Sequence, residues 1–303
     1  MIAWLRARSQ GGKVIMRMED LDHPKDKPGA DKAAIEDLKW LGFDWDEEYV
    51  QSQRKAIYAE ATKYLHDQGL IYPCVCSRKD VEAAQSAPHA GEQLYYPGTC
   101  RDRFSDWSAA YSFLNAESIN RQIDKSKNSR LPCWRLRVPE NTVVSFTDNF
   151  AGLYTQNVSE VLGDFPLARD EGGAGYTLAA TLDDMLMGVT EVVRGDDLKP
   201  ATPAQILLAR ALKDYCSDHF QFSIFHFQFL HVPLVVGRDG RRLAKRHGDT
   251  RISSYRAEGK RPGQILGYLA ASCGWCERDE EITLAELLPR FTLATIPHSP
   301  FMI

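Results

Sequence analysis

The sequence predicts an α/β protein built on a doubly wound parallel sheet, with an inserted segment and a helical C-terminal portion. A buried strand at 13–18 is followed by two helices, which together make half of such a domain. A second strand, at 189–193, leads into a strongly marked helix that begins at Thr202 and belongs to the other half. Between the halves, residues 71–140 are rich in Pro, Cys, Tyr, Ser and Arg and show little periodicity, which indicates an insertion.

The composition is that of an ordinary soluble protein. The 303 residues, 44% of them hydrophobic and 26% charged, can bury a core and form two or three domains. Because no apolar run approaches the roughly 20 residues that span a bilayer, we expect no membrane contact and a cytoplasmic location. Seven cysteines, an odd number, argue against a disulfide framework. A net charge of -4 offers no general attraction to nucleic acid, so an RNA partner requires a local basic surface.

The first half of the sheet is predicted from clear start and stop signals. Its strand at 13–18 presents three acidic side chains at its carboxyl end, Glu19, Asp20 and Asp22. Ligands of open α/β sheets bind at that end, so these carboxylates are candidates for function, with capping and turn roles as the alternative. The first helix is predicted to be capped by Asp31 and to stop at Gly42, and the second runs from about Ser52 to Gly69.

Regular structure resumes after the insertion. Three segments are predicted to be regular, at 142–146, 176–182 and 189–193. In the helix that follows, Thr202, Pro203 and Gln205 match an N-cap, a proline at the first helical position and a capping box. We divide the chain into four predicted segments: two halves of the sheet domain at 1–70 and 141–215, the insertion at 71–140 and a C-terminal portion at 216–303.

Three cysteines in the insertion are candidate metal ligands. Cys74 and Cys76 are separated by one residue, and Cys100 follows 24 residues after Cys76. Thiolates suit zinc, but a structural zinc site has four ligands in a tetrahedral array. His89 is the generic choice for the fourth ligand and Tyr96 the less usual one. The alternative is a group of buried thiols without metal.

Charged side chains at two predicted strand ends could bind an amino acid. Glu19 offers an anion for an ammonium group, and Arg194 offers a cation for a carboxylate. Tyr176 adds a hydroxyl donor between them. A structural ion pair between Glu19 and Arg194 across the sheet is the alternative.

A basic loop follows the apolar run at 232–236. The run ends in a predicted tight turn at Asp239-Gly240. Four cations lie within the next six residues, Arg241, Arg242, Lys245 and Arg246. A glycine-flanked loop that carries them can reach a polyanion such as a triphosphate, whereas a solvated basic surface is the alternative.

Several motifs, in order, resemble signatures of the glutamyl branch of class I aminoacyl-tRNA synthetases. RMEDLD at 17–22 resembles Arg-Ile-Glu-Asp-Thr/Leu-Asp, and YTLA at 176–179 resembles Tyr-Gln-Leu-Ala. GVTEVVRGDDL at 188–198 is very similar to Gly-Val-Thr-His-Val-Val-Arg-Gly-Glu-Asp-Leu, and RLAKR at 242–246 resembles the Lys-Leu-Ser-Lys-Arg ATP loop. The resemblance covers nearly the whole chain and implies the class I synthetase fold.

The insertion and the length point to one kind of member of this branch. Longer members continue into an anticodon-binding region, whereas the chain resembles the truncated glutamyl-queuosine tRNA(Asp) synthetases. Their zinc site has a Cys-x-Cys and Tyr-x-x-x-Cys pattern, which Cys74, Cys76, Tyr96 and Cys100 fit, although the spacing from Cys76 to Tyr96 is longer. The resemblance implies a monomer that activates L-glutamate with ATP and transfers it to queuosine in the anticodon of tRNA(Asp).

The resemblance also implies roles for individual residues. Glu19, Tyr176 and Arg194 become contacts of glutamate. Lys245 becomes the catalytic lysine of the ATP loop, and Arg242 takes the place of the loop's first lysine. The implied cofactors are Zn²⁺ and, with the substrate ATP, Mg²⁺.

One part of the family pattern is missing at the beginning. In the family, a first strand and a His-Ile-Gly-His-type ATP motif precede a helix that ends in Ala-Trp-Leu-Arg-Ala-Arg-Ser. Here that helix end, at 3–9, follows Met1 almost directly. We therefore expect these 303 residues to lack that strand and that motif. Either the start is assigned too late or activation has been lost. The alternative functions are a catalytic-domain fragment of a glutamyl-tRNA synthetase and, favoured by the missing motif, a non-catalytic tRNA-binding paralogue.

Overall fold

The computed structural model describes residues 1–21, 29–84, 94–120, 131–169, 173–219, 227–241 and 252–302. Within these ranges the strands are β1 Ile15–Met18, β2 Glu47–Val50, β3 Ile71–Cys74, β4 Cys133–Leu136, β5 Val143–Asp148, β6 Gly152–Asn157, β7 Pro166–Ala168, β8 Glu191–Gly195, β9 Gln228–Val232, β10 Val235–Val236 and β11 Phe301–Met302. The α-helices are α1 Ile2–Ser9, α2 Ala30–Trp40, α3 Lys55–Asp67, α4 Arg78–Ala84, α5 Trp107–Asn120, α6 Val158–Val161, α7 Tyr176–Leu186, α8 Thr202–His219, α9 Ile252–Ala257, α10 Pro262–Ala271 and α11 Leu284–Leu287. Short 3-10 helices span Gln51–Arg54, Asp196–Ala201 and Leu288–Arg290.

The predicted parallel α/β architecture is confirmed, and besides the short parallel pair of β10 and β11 its parallel strands form two groups. Strand β1 pairs in parallel with β2, and the other group has the order β6-β5-β9-β8, in which β5, β9 and β8 are parallel and β6 is antiparallel to β5. Among the described strands, β1 and β8 each have one hydrogen-bonded neighbour. Both line the same cavity, so the open edges of the two groups face the same space.

Most of the helix-end signals in the sequence coincide with helix ends in the structure. The helices α2 and α3 are followed by Gly42 and Gly69, which have φ angles of 92° and 67°, a region that glycine reaches without strain. Asp31 was expected to cap α2, but the N-cap is Gly29 and Asp31 lies in the first turn. The predicted segment at 176–182 is the helix α7.

The apolar run at 232–236 divides between two strands. Pro233 follows the end of β9, and β10 begins two residues later. Proline has no N–H to donate to a strand ladder, which explains the break. The predicted turn beyond it is present, because Gly240 has a φ angle of 69° and the Arg241 N–H donates to Asp239 Oδ1 at 3.0 Å.

The insertion is organised around a small antiparallel sheet of β3, β4 and β7. A compact cluster beside this sheet contains Tyr72, Val81, Tyr96 and Leu114, together with the cysteines considered below. The third strand, β7, comes from beyond residue 140, so the sheet joins the insertion to the chain that follows it. The division into four segments stays a prediction.

The largest core of the described residues lies where α3, α7 and α8 pack together under the sheets, and the fully buried carboxylate of Asp183 lies beside it. Asp183 accepts hydrogen bonds from Arg54 Nε at 2.7 Å, Tyr58 OH at 2.8 Å and Gln51 Nε2 at 3.1 Å. The three donors satisfy the charge and fasten α7 to α3 and to the 3-10 turn before it. No helix among the described residues is long and apolar enough to cross a membrane.

Replacing Asp183 with alanine should lower the free energy of unfolding by about 3–5 kcal/mol, because it leaves the half-buried Arg54 without its partner. Tyr58→Phe removes one hydrogen bond to the same carboxylate and should cost about 1.5–3 kcal/mol. Urea unfolding followed by circular dichroism measures both. Equal stabilities of Asp183→Ala and the unmodified protein would show that this network does not hold the helices together.

Candidate functional site

A cavity of about 830 Å³ lies between α1, β1, β8 and α7. Glu19, Tyr176 and Arg194, the three residues predicted to contact an amino acid, all line it. Glu19 directly follows β1 and Arg194 lies next to the last residue of β8, so both side chains stand at carboxyl ends of parallel strands. Tyr176 is the first residue of α7. The structure therefore brings together side chains that are far apart in the sequence.

Arg194 is held by three neutral side chains. Its Nε donates to His231 Nε2 at 3.0 Å, and its Nη2 donates to Thr202 Oγ1 and to Gln205 Oε1, each at 2.7 Å. No carboxylate of the described residues forms an ion pair with it. Burial lowers the pKa of Arg194 below its ordinary value, since a desolvated cation is disfavoured. A half-buried cation with neutral partners is suited to an anionic ligand.

His231 is the cross-strand partner of Arg194 in the β9–β8 pair, and its other ring nitrogen contacts Asp148. Its Nδ1 lies 2.6 Å from Asp148 Oδ2, and both side chains are fully buried. Burial lowers the pKa of His231, and the nearby Arg194 acts in the same direction, against the hydrogen bond to Asp148. His231 is therefore neutral. The sequence reasoning assigned no role to His231 or to Asp148, because no local signal marks either of them.

The predicted capping box at the start of α8 is wrong. The helix does begin at Thr202, but the side chains of Thr202 and Gln205 bind Arg194 instead of closing the helix end. The Thr202 hydroxyl also lies 3.2 Å from His231 Nε2. Both residues contact Arg194, which lines the cavity. From the sequence alone, residues with this role cannot be distinguished from helix-capping residues.

The acidic side of the cavity contains two carboxylates joined by one arginine. Arg17 Nη1 donates to Asp184 Oδ1 at 2.5 Å, and Arg17 Nη2 donates to Glu19 Oε1 at 3.1 Å. Burial raises the pKa of Asp184, and the attraction of Arg17 opposes that rise. Asp184 was missed by the sequence reasoning. The alternative of an ion pair between Glu19 and Arg194 does not occur, because the ion-pair partner of Glu19 is Arg17.

The neighbouring acidic positions differ in role. Asp20 accepts hydrogen bonds from the backbone N–H of Ser52 at 2.8 Å and from its hydroxyl at 2.5 Å, so it shapes the chain before α3. Asp22 lies outside the described residues. Further along the cavity, Glu191 stands where the family signature has histidine and forms a two-bonded ion pair with Arg6 at 2.8 and 3.0 Å.

The three predicted metal ligands of the insertion converge. The sulfur atoms of Cys74, Cys76 and Cys100 all lie within 4.8 Å of one another, and those of Cys76 and Cys100 are 3.6 Å apart. Sulfurs bound tetrahedrally to zinc at about 2.3 Å are about 3.8 Å apart, so this separation fits. The Tyr96 hydroxyl is 3.2 Å from Cys74 Sγ and 3.7 Å from Cys76 Sγ. The group could hold a metal ion.

A fourth cysteine that the sequence reasoning did not consider lies beside this group. Cys133 is the cross-strand partner of Cys74 in the β3–β4 pair. Hydrogen bonds with neighbouring thiols lower the pKa of Cys74. The largest contribution comes from Cys100, followed by Cys133 and Cys76. The pairing joins residues far apart in sequence, so spacing does not reveal it. His89, the generic alternative for the fourth ligand, lies outside the described residues.

The basic loop is only partly within the described residues. Arg241 ends the described turn and is exposed. Arg242 and Lys245, the predicted ATP contacts, lie outside the described residues.

Comparison with known proteins gives the family. Residues 1–299 match the family model described as the catalytic domain of class I tRNA synthetases (E and Q). The chain is 40% identical to a glutamyl-Q tRNA(Asp) synthetase of Symbiobacterium thermophilum, over all of this chain and 89% of that protein. It is 38% identical to the protein of the same name from Rhodopirellula baltica, over all of this chain and 90% of that one. The chain belongs to the glutamyl-Q tRNA(Asp) synthetase family.

The solved structures agree on the fold of this glutamyl-Q tRNA(Asp) synthetase family member. The crystal structure of a glutamate tRNA ligase from Elizabethkingia meningosepticum in complex with its amino acid superposes with a TM-score of 0.74 at 22% identity. The match covers 99% of this chain and 62% of that protein. A glutamate-tRNA synthetase from Elizabethkingia anophelis gives a TM-score of 0.73 at the same identity, over 63% of its length.

Proposed function

We propose that this chain activates L-glutamate with ATP and transfers it to queuosine in the anticodon of tRNA(Asp), as a monomer in the cytoplasm. The relatives that it matches over its full length carry this activity in their names. Arg194 is the single observation in the structure that carries the proposal. It is a half-buried guanidinium with neutral partners, and it lines a cavity whose other side is acidic.

This distribution of charge fits an amino acid with an additional carboxylate. Arg194 binds one carboxylate of glutamate, and the Tyr176 hydroxyl adds a donor beside it. Glu19 and Asp184, both held by Arg17, make the region attractive to the ammonium group. The cavity therefore orients glutamate by charges of opposite sign at its two sides.

The chemistry consists of two transfers that need little acid-base catalysis. The α-carboxylate of glutamate attacks the α-phosphorus of ATP, and the bond to the departing pyrophosphate breaks. Lys245 and Arg242 stabilise the charge on the phosphates, and Mg²⁺ bound with ATP supplies further neutralisation. A ring hydroxyl of queuosine then attacks the mixed anhydride and releases AMP, which leaves glutamate joined by an ester bond.

A structural zinc ion completes the proposal. Cys74, Cys76 and Cys100 supply three thiolates, and Tyr96 supplies the fourth ligand from the same cluster. The ion would fasten β3 to the loop that contains Cys100. A zinc site with four protein ligands has no open position for a substrate, so the ion would take no part in the reaction. It would stabilise the insertion, which the sheet of β3, β4 and β7 joins to the following chain.

Attachment of glutamate to tRNA tests the function. The protein is incubated with radiolabelled glutamate, ATP and Mg²⁺, and with tRNA(Asp) that contains either queuosine or guanosine at the wobble position. Label should appear only on the queuosine-containing tRNA and should be released by mild alkali, as an ester is.

Two other results would each overturn the proposal in a defined way. Label on the acceptor end of tRNA(Glu) would identify the catalytic portion of an ordinary glutamyl-tRNA synthetase. Binding of tRNA without attachment of glutamate, and without glutamate-dependent exchange of pyrophosphate into ATP, would identify a non-catalytic tRNA-binding paralogue.

A further inference from the structure

The orientation of Arg194 depends on a buried chain of side chains behind it. An arginine Nε can only donate a hydrogen bond, so the His231 Nε2 that receives it must be the unprotonated ring nitrogen. The proton of the neutral ring is then on Nδ1, where it is donated to Asp148 Oδ2 at 2.6 Å. One tautomer of His231 therefore satisfies both contacts, and the opposite tautomer satisfies neither of them.

Asp148 is itself fixed by the backbone. Its Oδ1 accepts from the N–H of Phe150 at 2.9 Å and of Ala151 at 2.7 Å, and the backbone N–H of His231 lies 3.1 Å from Oδ2. Burial raises the pKa of Asp148, but these hydrogen bonds and that of the imidazole outweigh the effect, so the pKa is below its ordinary value. The carboxylate remains charged and holds the ring rigidly.

The chain positions Arg194 without neutralising it. A carboxylate in direct contact with the guanidinium would form an ion pair and weaken its attraction for a substrate anion. The imidazole of His231 lies between Asp148 and Arg194. Through its two hydrogen bonds it fixes the guanidinium in place without forming an ion pair. Thr202 and Gln205 accept from both hydrogens of Nη2. Among the described residues, Nη1 is then the guanidinium nitrogen for which no hydrogen bond within these distances is formed.

We propose that Asp148 and His231 are positioning residues that hold Arg194 so that it binds a substrate carboxylate end-on, through Nη1. This inference rests on the proposed function, because the substrate is taken to be glutamate. A two-bonded contact through Nε and Nη2 does not fit, since both nitrogens donate to side chains of the protein. His231 and Asp148 touch neither the substrate nor the reacting atoms.

A pair of amide variants of His231 tests the proposal. In His231→Asn the amide nitrogen lies near the position of Nδ1 and still donates to Asp148, but the acceptor for Arg194 Nε is lost. In His231→Gln the amide oxygen reaches the position of Nε2 and keeps that acceptor. Calorimetry should show glutamate binding weakened about tenfold to a hundredfold in His231→Asn and largely restored in His231→Gln. ATP affinity should be unchanged in both, which a general loss of structure would not allow.

Nitrogen NMR of the unmodified chain supplies a test that needs no variant. The ¹⁵N shifts of His231 should report protonation at Nδ1 and a bare Nε2 at neutral pH. Protonation at Nε2, or glutamate affinity in His231→Asn equal to that of the unmodified protein, would overturn the inference. If the unmodified chain shows the Nδ1 tautomer and binds ATP but not glutamate, the proposed function fails while the positioning of Arg194 stands.

Discussion

Replacing Arg194 with alanine should remove measurable glutamate binding. The loss of a buried charged partner for a carboxylate typically costs about 2–5 kcal/mol of binding free energy. The free energy of unfolding should fall by a smaller amount, about 1–3 kcal/mol, because His231, Thr202 and Gln205 lose their shared donor. Calorimetric titration with glutamate and thermal unfolding measure the two effects on the same sample.

Arg290→Ala is a matched control for this variant. Arg290 forms an exposed ion pair with Glu280 at 2.8 Å and does not line the cavity, so its loss should leave glutamate binding intact. Arg194→Lys keeps the charge but cannot donate to all three neighbours, so it should bind glutamate weakly. Glutamate affinity in Arg194→Ala equal to that of the control would assign Arg194 a structural role.

Removal of zinc should unfold the insertion. Metal analysis of protein purified without chelators should give one zinc per chain. Structural zinc sites contribute about 10–16 kcal/mol of apparent binding free energy, so a strong chelator should expose the β3–β4 region to hydrogen exchange. Cys74→Ser should act in the same way. Cys276→Ser, the same substitution at a free cysteine outside the thiol group, should keep both the zinc and the protection.

The fourth ligand can be identified in the same assay. Tyr96→Phe should weaken zinc binding, because its hydroxyl lies beside Cys74 and Cys76, whereas His89→Ala should not. Cys133→Ser is an informative third variant, since Cys133 lies opposite Cys74. Zinc that is retained in Tyr96→Phe and lost in either of the other two variants would contradict the assignment of Tyr96.

Much of the local structure was predictable because its signals act over a few residues. Glycines with positive φ mark the ends of α2 and α3, and the turn at Asp239-Gly240 is present. The spacing of Cys74, Cys76 and Cys100 made them candidate metal ligands, and their sulfur atoms converge. The motifs in order indicated the family, which the comparisons confirm. Glu19 and Arg194 were predicted at strand ends, where both occur.

By itself, therefore, the sequence determined many of the elements outside the insertion, the family and three of the residues that line the cavity, Glu19, Tyr176 and Arg194. Only the tertiary structure decided which side chains contact the residues that line the cavity. Thr202 and Gln205 match a capping box in sequence but bind Arg194, and His231 and Asp148 become linked only when β5, β9 and β8 pair. A hydrogen bond depends on distances of a few tenths of an ångström between distant segments, and its strength depends on burial. Neither quantity exists until the chain has folded.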